Sequence, residues 1–206
     1  MTERRIVLLR HAKAEQPEGV ADAERPLATR GHADAAAAGA WLEHSGYRPT
    51  EVICSPAKRT RQTWHEVALG MTAPLAGHRP ELTPHGDDRS ARTPDASDRS
   101  APGRSSAIEP PHVPGLGPTV RYEEGVYRDR AENLLELLRG ADPDSTTVLL
   151  IGHNPSISKL SILLDPVHAD PEGLRTAGLA VHGFTGRWTD LAPGGAALER
   201  WFTARG

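Results

Sequence analysis

The stretch that decides the fold is RRIVLLRHAKAE, residues 4–15. Ile6 to Leu9 are consecutive apolar residues, and continuous apolarity is typical of a strand that is covered on both faces of a parallel sheet. The run ends directly on Arg10 and His11, two side chains that are costly to bury. We therefore expect this strand to carry Arg10 and His11 to the edge of a sheet.

Two further apolar runs, 52–54 and 148–151, end in the same way. The polar sequences SPAKR (55–59) and GHNP (152–155) follow them. Ligands of open α/β sheets bind in the crevice beyond the carboxyl ends of the strands. Four side chains are therefore expected to meet in one cleft: Arg10, His11, Arg59 and His153.

Helical patterns lie between these strands, at 30–45, 56–69 and 130–139. Strands that alternate with helices predict an α/β domain, here a three-layer sandwich with helices on both faces of a mostly parallel, mixed sheet. Residues 178–190 form two short runs around Thr185-Gly186, which predicts an antiparallel edge hairpin with its turn at that dipeptide.

The chain of 206 residues is long enough for one well-buried domain with a long insertion. Nine of its 18 prolines lie in residues 72–118, together with many Ser, Gly and Asp residues. Such a segment has too few large apolar residues to offset its ordering entropy. We predict a single domain, 1–206, with a flexible insertion at about 72–118.

Composition excludes several classes of protein. The formal net charge is −3, and no block of like charges indicates a nucleic-acid partner. No apolar run approaches the ~18 residues that would indicate a membrane span, and no secretory leader is evident. The single cysteine, Cys54, rules out an internal disulfide. We expect a cytoplasmic protein with no metal site, because no acidic cluster would hold one.

The start of the second helix carries an electrostatic signal. Ser55 is predicted as its N-cap and Pro56 as its first residue, with Asn154 and Pro155 repeating the design later in the chain. A helix N-terminus disfavours cations by a few tenths of a kcal/mol each, so an anion bound there would explain the basic residues. Those residues are Lys58, Arg59 and Arg61.

Three segments resemble the signatures of the histidine phosphatase (phosphoglycerate-mutase-like) superfamily. They are LLRHAKAE (8–15), CSPAKRTRQT (54–63) and LLIGHNPSIS (149–158). Two more, ERPLATRG (24–31) and TAGLAVHGF (176–184), resemble its phosphohistidine phosphatase (SixA-type) branch. The resemblance covers nearly the whole chain except the insertion.

The resemblance implies a metal-independent phosphatase that needs no cofactor. His11 would take the phosphoryl group, and Arg10, Arg59 and His153 would hold its oxygens. The expected substrate is phosphohistidine in a protein. Two alternatives stay open, a phosphatase of a small phosphomonoester metabolite and a phosphate-binding module without turnover. Histidine suits the nucleophilic role, since its ordinary pKa of about 6.5 leaves it mostly neutral near pH 7.

The residue that would protonate the leaving group is not fixed by the sequence, and Glu124 and Glu81 are the candidates. Imidazole is a far less basic leaving group than an alkoxide, so a missing acid would fit a phosphohistidine substrate. Arg25 is expected either at the cleft mouth or in a surface salt bridge. Lys13 and Arg61 are possible electrostatic helpers.

Other residues are expected to be structural. Cys54 lies within an apolar strand and is predicted to be a buried, inert thiol. The four tryptophans are predicted to pack in or against the core: Trp41, Trp64, Trp188 and Trp201.

Overall fold

A computed structural model describes residues 2–72, 117–128 and 130–206. All of these residues fall in one compact unit. The predicted insertion at 72–118 lies outside the described residues except at its two ends, so its flexibility stays a prediction.

Six strands of the described residues form one sheet in the order β3-β2-β4-β1-β5-β6. The first four strands in this order run parallel, whereas β5 is antiparallel to β1 and β6 is antiparallel to β5. The mostly parallel, mixed sheet is therefore confirmed. The strands are β1 Glu3–Arg10, β2 Glu51–Cys54, β3 Thr119–Tyr122, β4 Thr147–Gly152, β5 Gly178–Thr185 and β6 Ala197–Thr203.

Helices cover both faces of the sheet. Side chains of β1 alternate between the faces, as the two-residue period of a strand requires. The helices are α1 Thr29–His44, α2 Lys58–Thr72, α3 Glu124–Arg128, α4 Ala131–Arg139 and α5 Ser156–Leu164. Ile6 and Leu8 pack in a cluster with residues of α4 and α5, and Val7 and Leu9 pack in a cluster with residues of α1 and α2. This confirms the three-layer sandwich.

The helix that carries Arg59 is held close to its neighbour by glycine. A Cβ atom added at Gly39 of α1 would lie 2.0 Å from the carbonyl oxygen of Val67 in α2. A Cβ added at Gly70 of α2 would lie 2.1 Å from the carbonyl oxygen of Ala36. The two helix backbones are therefore packed at a distance that only glycine allows, which fixes the position of α2.

The antiparallel edge is present, but its turn is not at Thr185-Gly186. Thr185 ends β5, and the residues that follow it include a 3₁₀ turn, Trp188–Asp190, instead of a returning strand. The partner strand is β6, which begins at Ala197. The buried Trp188 side chain explains the difference, because its Nε1 donates to the carbonyl of Ser145 at 2.9 Å and packs this turn against the core.

The register of the central strands brings three strand ends to one level. Leu9 of β1 and Cys54 of β2 both pair with Ile151 of β4, which lies between them. Arg10 then pairs with Gly152. The residues that follow β1, β2 and β4 therefore emerge side by side at the carboxyl edge of the sheet.

Candidate active site

His11 follows β1 directly, and its backbone N–H donates to the carbonyl of Gly152 at 3.0 Å. Its ring Nδ1 lies 2.8 Å from the carbonyl oxygen of Ala12. Since a carbonyl only accepts, this contact requires the proton on Nδ1 and leaves the lone pair of a neutral imidazole on Nε2. The backbone therefore selects the tautomer in which Nε2 carries the lone pair.

His153 lies beside His11, with 5.0 Å between the ring centroids and 55° between the ring planes. Its Nε2 is hydrogen bonded to Oγ of Ser55 at 2.8 Å. Its Nδ1 is buried and has no hydrogen-bond partner among the described residues. A buried ring nitrogen without a protein partner is suited to contact a ligand at this point.

Both histidines are neutral at neutral pH. Burial lowers the pKa of His11 to about 4, with the charges of Arg59 and Arg10 acting in the same direction and the Ala12 carbonyl opposing them. Burial, followed by the proximity of His11 and Arg59, lowers the pKa of His153 to about 3. Lowered pKa values of this size, arising from burial and specific charges in a cleft, are typical of functional sites.

Arg10 is held by the loop that precedes β5. Its Nη1 donates to the carbonyl of Leu174 at 2.9 Å, and the same carbonyl accepts from Nδ2 of Asn154 at 3.0 Å. Ser158 donates to Oδ1 of Asn154 at 2.6 Å and accepts from the N–H of Leu174 at 2.8 Å. The Nε of Arg10 is buried and has no partner among the described residues. One donor of this arginine is thus anchored, while another is available for an anion.

Arg59, in the first turn of α2, is held by Asp22. Its Nη2 donates to Oδ2 of Asp22 at 2.9 Å, and its Nη1 donates to the backbone carbonyl of the same residue at 2.5 Å. Its side chain is only 7 % exposed. Both bonds fix the guanidinium plane, and the remaining N–H groups are left for other acceptors.

Asp22 joins three partners at the mouth of the site. Besides Arg59, its carboxylate accepts from Tyr127 Oη at 2.6 Å and from Arg25 Nη1 at 2.8 Å. These bonds, with that of Tyr127 contributing most, hold the pKa of Asp22 well below its usual range. The carboxyl is therefore ionised at neutral pH and has no proton to give to a leaving group.

Tyr127 connects Asp22 to His153. Its ring meets that of His153 edge-on, with centroids 5.3 Å apart and an interplanar angle of 83°. The Arg59 guanidinium carbon lies 5.7 Å from the centre of the same ring, within cation–π range. Sequence reasoning missed Asp22 and Tyr127, and the only local signal was that Asp22 lies three residues before Arg25.

The predicted caps of the two helices at the site are wrong. Helix α2 begins at Lys58, so Ser55 is not its N-cap. The Ser55 hydroxyl is hydrogen bonded to Nε2 of His153, and it accepts only a long hydrogen bond of 3.4 Å from the backbone N–H of Ala57. Helix α5 begins at Ser156 with Pro155 as its N-cap, because Asn154 turns its side chain to Leu174 and Ser158. Both predicted caps serve the site instead of a helix end. Lys58, Arg59 and Arg61 nevertheless lie in the first turn of α2, as predicted.

The remaining candidate residues lie around this centre. Glu124 is exposed at the first residue of α3, so it stays a candidate acid, and Glu81 lies outside the described residues. Arg25 forms the salt bridge with Asp22, while Lys13 and Arg61 are exposed.

The residues predicted to be structural divide into two groups. Cys54 is fully buried, and burial raises the pKa of its thiol, which confirms an inert residue. Trp64 and Trp188 are buried, and Trp41 stacks on Phe202. The prediction for Trp201 is wrong, because this side chain, on edge strand β6, is 73 % exposed.

Comparison with known proteins assigns the family. A model of the histidine phosphatase superfamily (branch 1) matches residues 6–202. The chain belongs to the histidine phosphatase superfamily. It is therefore a phosphatase, and the family expected from the three strand-end motifs is confirmed. Among the described residues, no helix is long and apolar enough to cross a membrane.

Several proteins resemble this chain over nearly its whole length. Uncharacterized protein Rv1276c of Mycobacterium tuberculosis is 29 % identical over 205 residues, which cover 96 % of this chain and all of that protein. A candidate phosphohistidine phosphatase SixA from Nakamurella multipartitia is 27 % identical with a TM-score of 0.63, covering 99 % of this chain and 98 % of the other. The mycobacterial glucosyl-3-phosphoglycerate phosphatase Rv2419c shares the fold at 15 % identity and a TM-score of 0.58, covering 98 % and 99 % of the two chains.

Proposed function

We propose that this chain is a cytoplasmic phosphatase that removes the phosphoryl group from phosphohistidine in a protein, through a phosphohistidine intermediate on His11. The observation that carries the proposal is the state of His11. Its Nδ1 proton is bound to the Ala12 carbonyl, and its lowered pKa keeps Nε2 unprotonated. A neutral imidazole with one fixed lone pair is a competent nucleophile towards phosphorus.

The reaction runs in two displacements. Nε2 of His11 attacks the phosphorus, a new N–P bond forms, and the bond from phosphorus to the substrate imidazole breaks. The departing nitrogen takes the electron pair of the broken bond, and the imidazole leaves neutral because its other ring nitrogen carries a proton or the departing nitrogen takes one up from solvent. Water then attacks the phosphorus, the bond to His11 breaks, inorganic phosphate is released and His11 is again neutral.

Charge stabilisation is assigned to Arg10, Arg59 and His153. Phosphoryl transfer depends mainly on positioning and on stabilising the charge of the equatorial oxygens. The buried, unpartnered Nε of Arg10 and Nδ1 of His153 support this assignment, since both are donors that a phosphate oxygen satisfies. His153 donates from Nδ1 when the Ser55 hydroxyl donates to its Nε2.

The choice of a phosphohistidine substrate rests on the leaving group. Asp22 is the carboxyl bound to Arg59, and it is ionised at neutral pH. An alkoxide leaving group requires a proton donor, whereas imidazole leaves with much less assistance because its conjugate acid has a pKa of about 6.5. The likeness to the SixA protein of Nakamurella multipartitia supports the same substrate class.

A small phosphomonoester is the second candidate substrate. It is favoured by Glu124, an exposed carboxyl that lies two residues beyond the carboxyl end of β3, beside the strand ends that form the site. If this residue or Glu81 donates a proton to an alkoxide, then Glu124→Gln or Glu81→Gln will abolish activity on alkyl phosphates alone.

A substrate panel tests the proposed function. Phosphate release is measured with a phosphohistidine peptide, an aryl phosphate, sugar phosphates and nucleotides, for the wild type and His11→Ala. His44→Ala, which removes an exposed histidine at the end of α1, is the matched control. We expect the highest kcat/KM on the peptide, with activity lost only in His11→Ala. Equal turnover by wild type and His11→Ala would contradict the mechanism, and a preference for an alkyl phosphate would contradict the substrate class.

A further inference from the structure

We infer that Asp22 is a positioning residue that fixes Arg59 for phosphate binding, and that Tyr127 and Arg25 hold Asp22 in place for this purpose. The inference rests on the phosphate-binding role proposed for Arg59. It goes beyond that role because it gives a function to two side chains, Asp22 and Tyr127, that none of the strand-end motifs contains.

The first step is how Arg59 is held. Two of its five N–H donors are bound to Asp22, one to the carboxylate and one to the backbone carbonyl. A long side chain held at two points loses its rotational freedom before a ligand arrives, and less entropy is then lost when the ligand binds. The other donors of the guanidinium are left to engage phosphate oxygens.

The second step is that Asp22 itself needs support. It lies in a three-residue 3₁₀ turn, Asp22–Glu24, and its side chain is 54 % exposed. Tyr127 of α3 and Arg25 reach its carboxylate from different elements, and Nε of Arg25 also donates to the Glu15 carbonyl at 2.9 Å. The turn is thereby tied to two other parts of the chain.

The third step distinguishes this cluster from an ordinary surface salt bridge. An ion pair that is exposed on both sides contributes little, because water screens it. Here Arg59 is nearly buried, and Tyr127 contacts both Asp22 and the ring of His153. Moving Asp22 would therefore change the surroundings of two groups assigned to the phosphate.

A double-mutant cycle tests the inference, with an aryl phosphate as substrate and inorganic phosphate as a second probe. The proteins are wild type, Asp22→Ala, Arg59→Ala and the double variant. We expect Asp22→Ala to lower kcat/KM about tenfold when Arg59 is present and less than twofold when it is absent, since the variant loses a charge-assisted hydrogen bond that acts only through Arg59. Phosphate affinity is expected to follow the same pattern if turnover in Arg59→Ala is too slow to measure.

Controls separate positioning from folding. Asp190→Ala breaks a similar exposed pair, with Arg187 at 2.9 Å, at the 3₁₀ turn Trp188–Asp190, and is expected to leave kcat/KM unchanged. Tyr127→Phe is expected to lower kcat/KM several-fold with an unchanged thermal midpoint. The same loss from Asp22→Ala in both Arg59 backgrounds would overturn the inference. A wild type that releases no phosphate would instead contradict the proposed function, while phosphate affinity would still test the role of Asp22.

Discussion

The two arginines that are proposed to bind phosphate, Arg10 and Arg59, are anchored in different ways. Arg10 is held by a backbone carbonyl, that of Leu174, in a loop that Asn154 and Ser158 tie to the start of α5. Arg59 is held by Asp22, whose carboxylate is more than half exposed. The first anchor depends on the shape of a loop, and the second depends on a charged side chain. Mutation, salt and pH should therefore affect them differently.

Removal of either guanidinium has the largest expected effect. Arg10→Ala and Arg59→Ala should each lower kcat/KM by about 10²–10³, the usual cost of losing one stabilising donor of a transition-state oxyanion. Steady-state kinetics on an aryl phosphate, with wild-type-like circular dichroism, provides the measurement. A loss below about threefold in either variant would mean that this arginine does not hold the phosphate.

Gly173→Ala should weaken the hydrogen bond between Arg10 and the Leu174 carbonyl, because it changes the shape of the loop that contains Leu174. Gly173 has a φ of 76°, and a Cβ there would lie 2.6 Å from Oγ of Ser158, the hydroxyl that positions Leu174. We expect a loss of about 1 kcal/mol or more in the free energy of unfolding from backbone strain alone, with reduced kcat/KM. Gly194→Ala has a similar φ of 70° but open space around it, so it controls for strain. Equal activity in the two variants would contradict the proposed anchor.

Salt concentration should also affect the anchors of Arg10 and Arg59 differently. At 1 M ionic strength the Debye length falls to about 3 Å, which weakens interactions of exposed charges. Because the Asp22 side chain is 54 % exposed but Arg59 is nearly buried, the loss caused by Asp22→Ala should shrink only in part between 0.05 M and 1 M salt, while the loss caused by Gly173→Ala should stay constant. The ratio of kcat/KM to wild type at each salt concentration gives the test. An Asp22→Ala deficit that is independent of salt would indicate that charge does not contribute to this anchor.

Moderate acid should leave both anchors intact while it weakens the fold. The pKa of Asp22 is lowered, so its carboxylate stays ionised, and His11 with a pKa of about 4 keeps its lone pair down to about pH 5. Initial rates should fall only as the pH approaches 4. A fall in kcat centred near pH 6.5 would show that the histidines are not shielded as described.

Stability should respond over a different pH range. In the unfolded chain His11 and His153 take up protons below about pH 6.5, whereas in the folded chain they do so only near pH 4 and 3. Folding should therefore weaken as the pH falls from 6.5 towards 4, by up to about 1.4 kcal/mol per pH unit for each histidine. Denaturant titrations at several pH values should show a shallower dependence in His153→Asn than in wild type. An unchanged slope would contradict the burial of neutral His153.

Much of the site was predictable because its signals are local. Each of the three apolar runs leads directly into its polar residues, and level strand ends bring Arg10, His11, Arg59 and His153 to one edge of the sheet. The roles of these residues remain part of the proposed function. The alternation of strands and helices likewise predicted the layers of the fold.

The supporting residues were not predictable for a physical reason. Asp22 meets Tyr127 across 105 positions of the chain and Arg59 across 37, and contacts between loops have no sequence period. The sequence predicts Ser55 and Asn154 as helix caps because their residue types favour caps. Tertiary contacts with His153 and Leu174 override that local preference.

The most direct test is to trap the phosphorylated enzyme. The protein is mixed with a phosphohistidine peptide and quenched within one turnover in alkaline denaturant, which preserves the acid-labile N–P bond. Mass spectrometry of the digested protein then locates the phosphoryl group. We predict that the phosphoryl group is on His11 in wild type and is missing in His11→Ala. In the surface control His44→Ala it should be on His11 and should last no longer than in wild type. Rapid turnover without a phosphoryl group on His11, or with one on another residue, would contradict the nucleophilic role of His11.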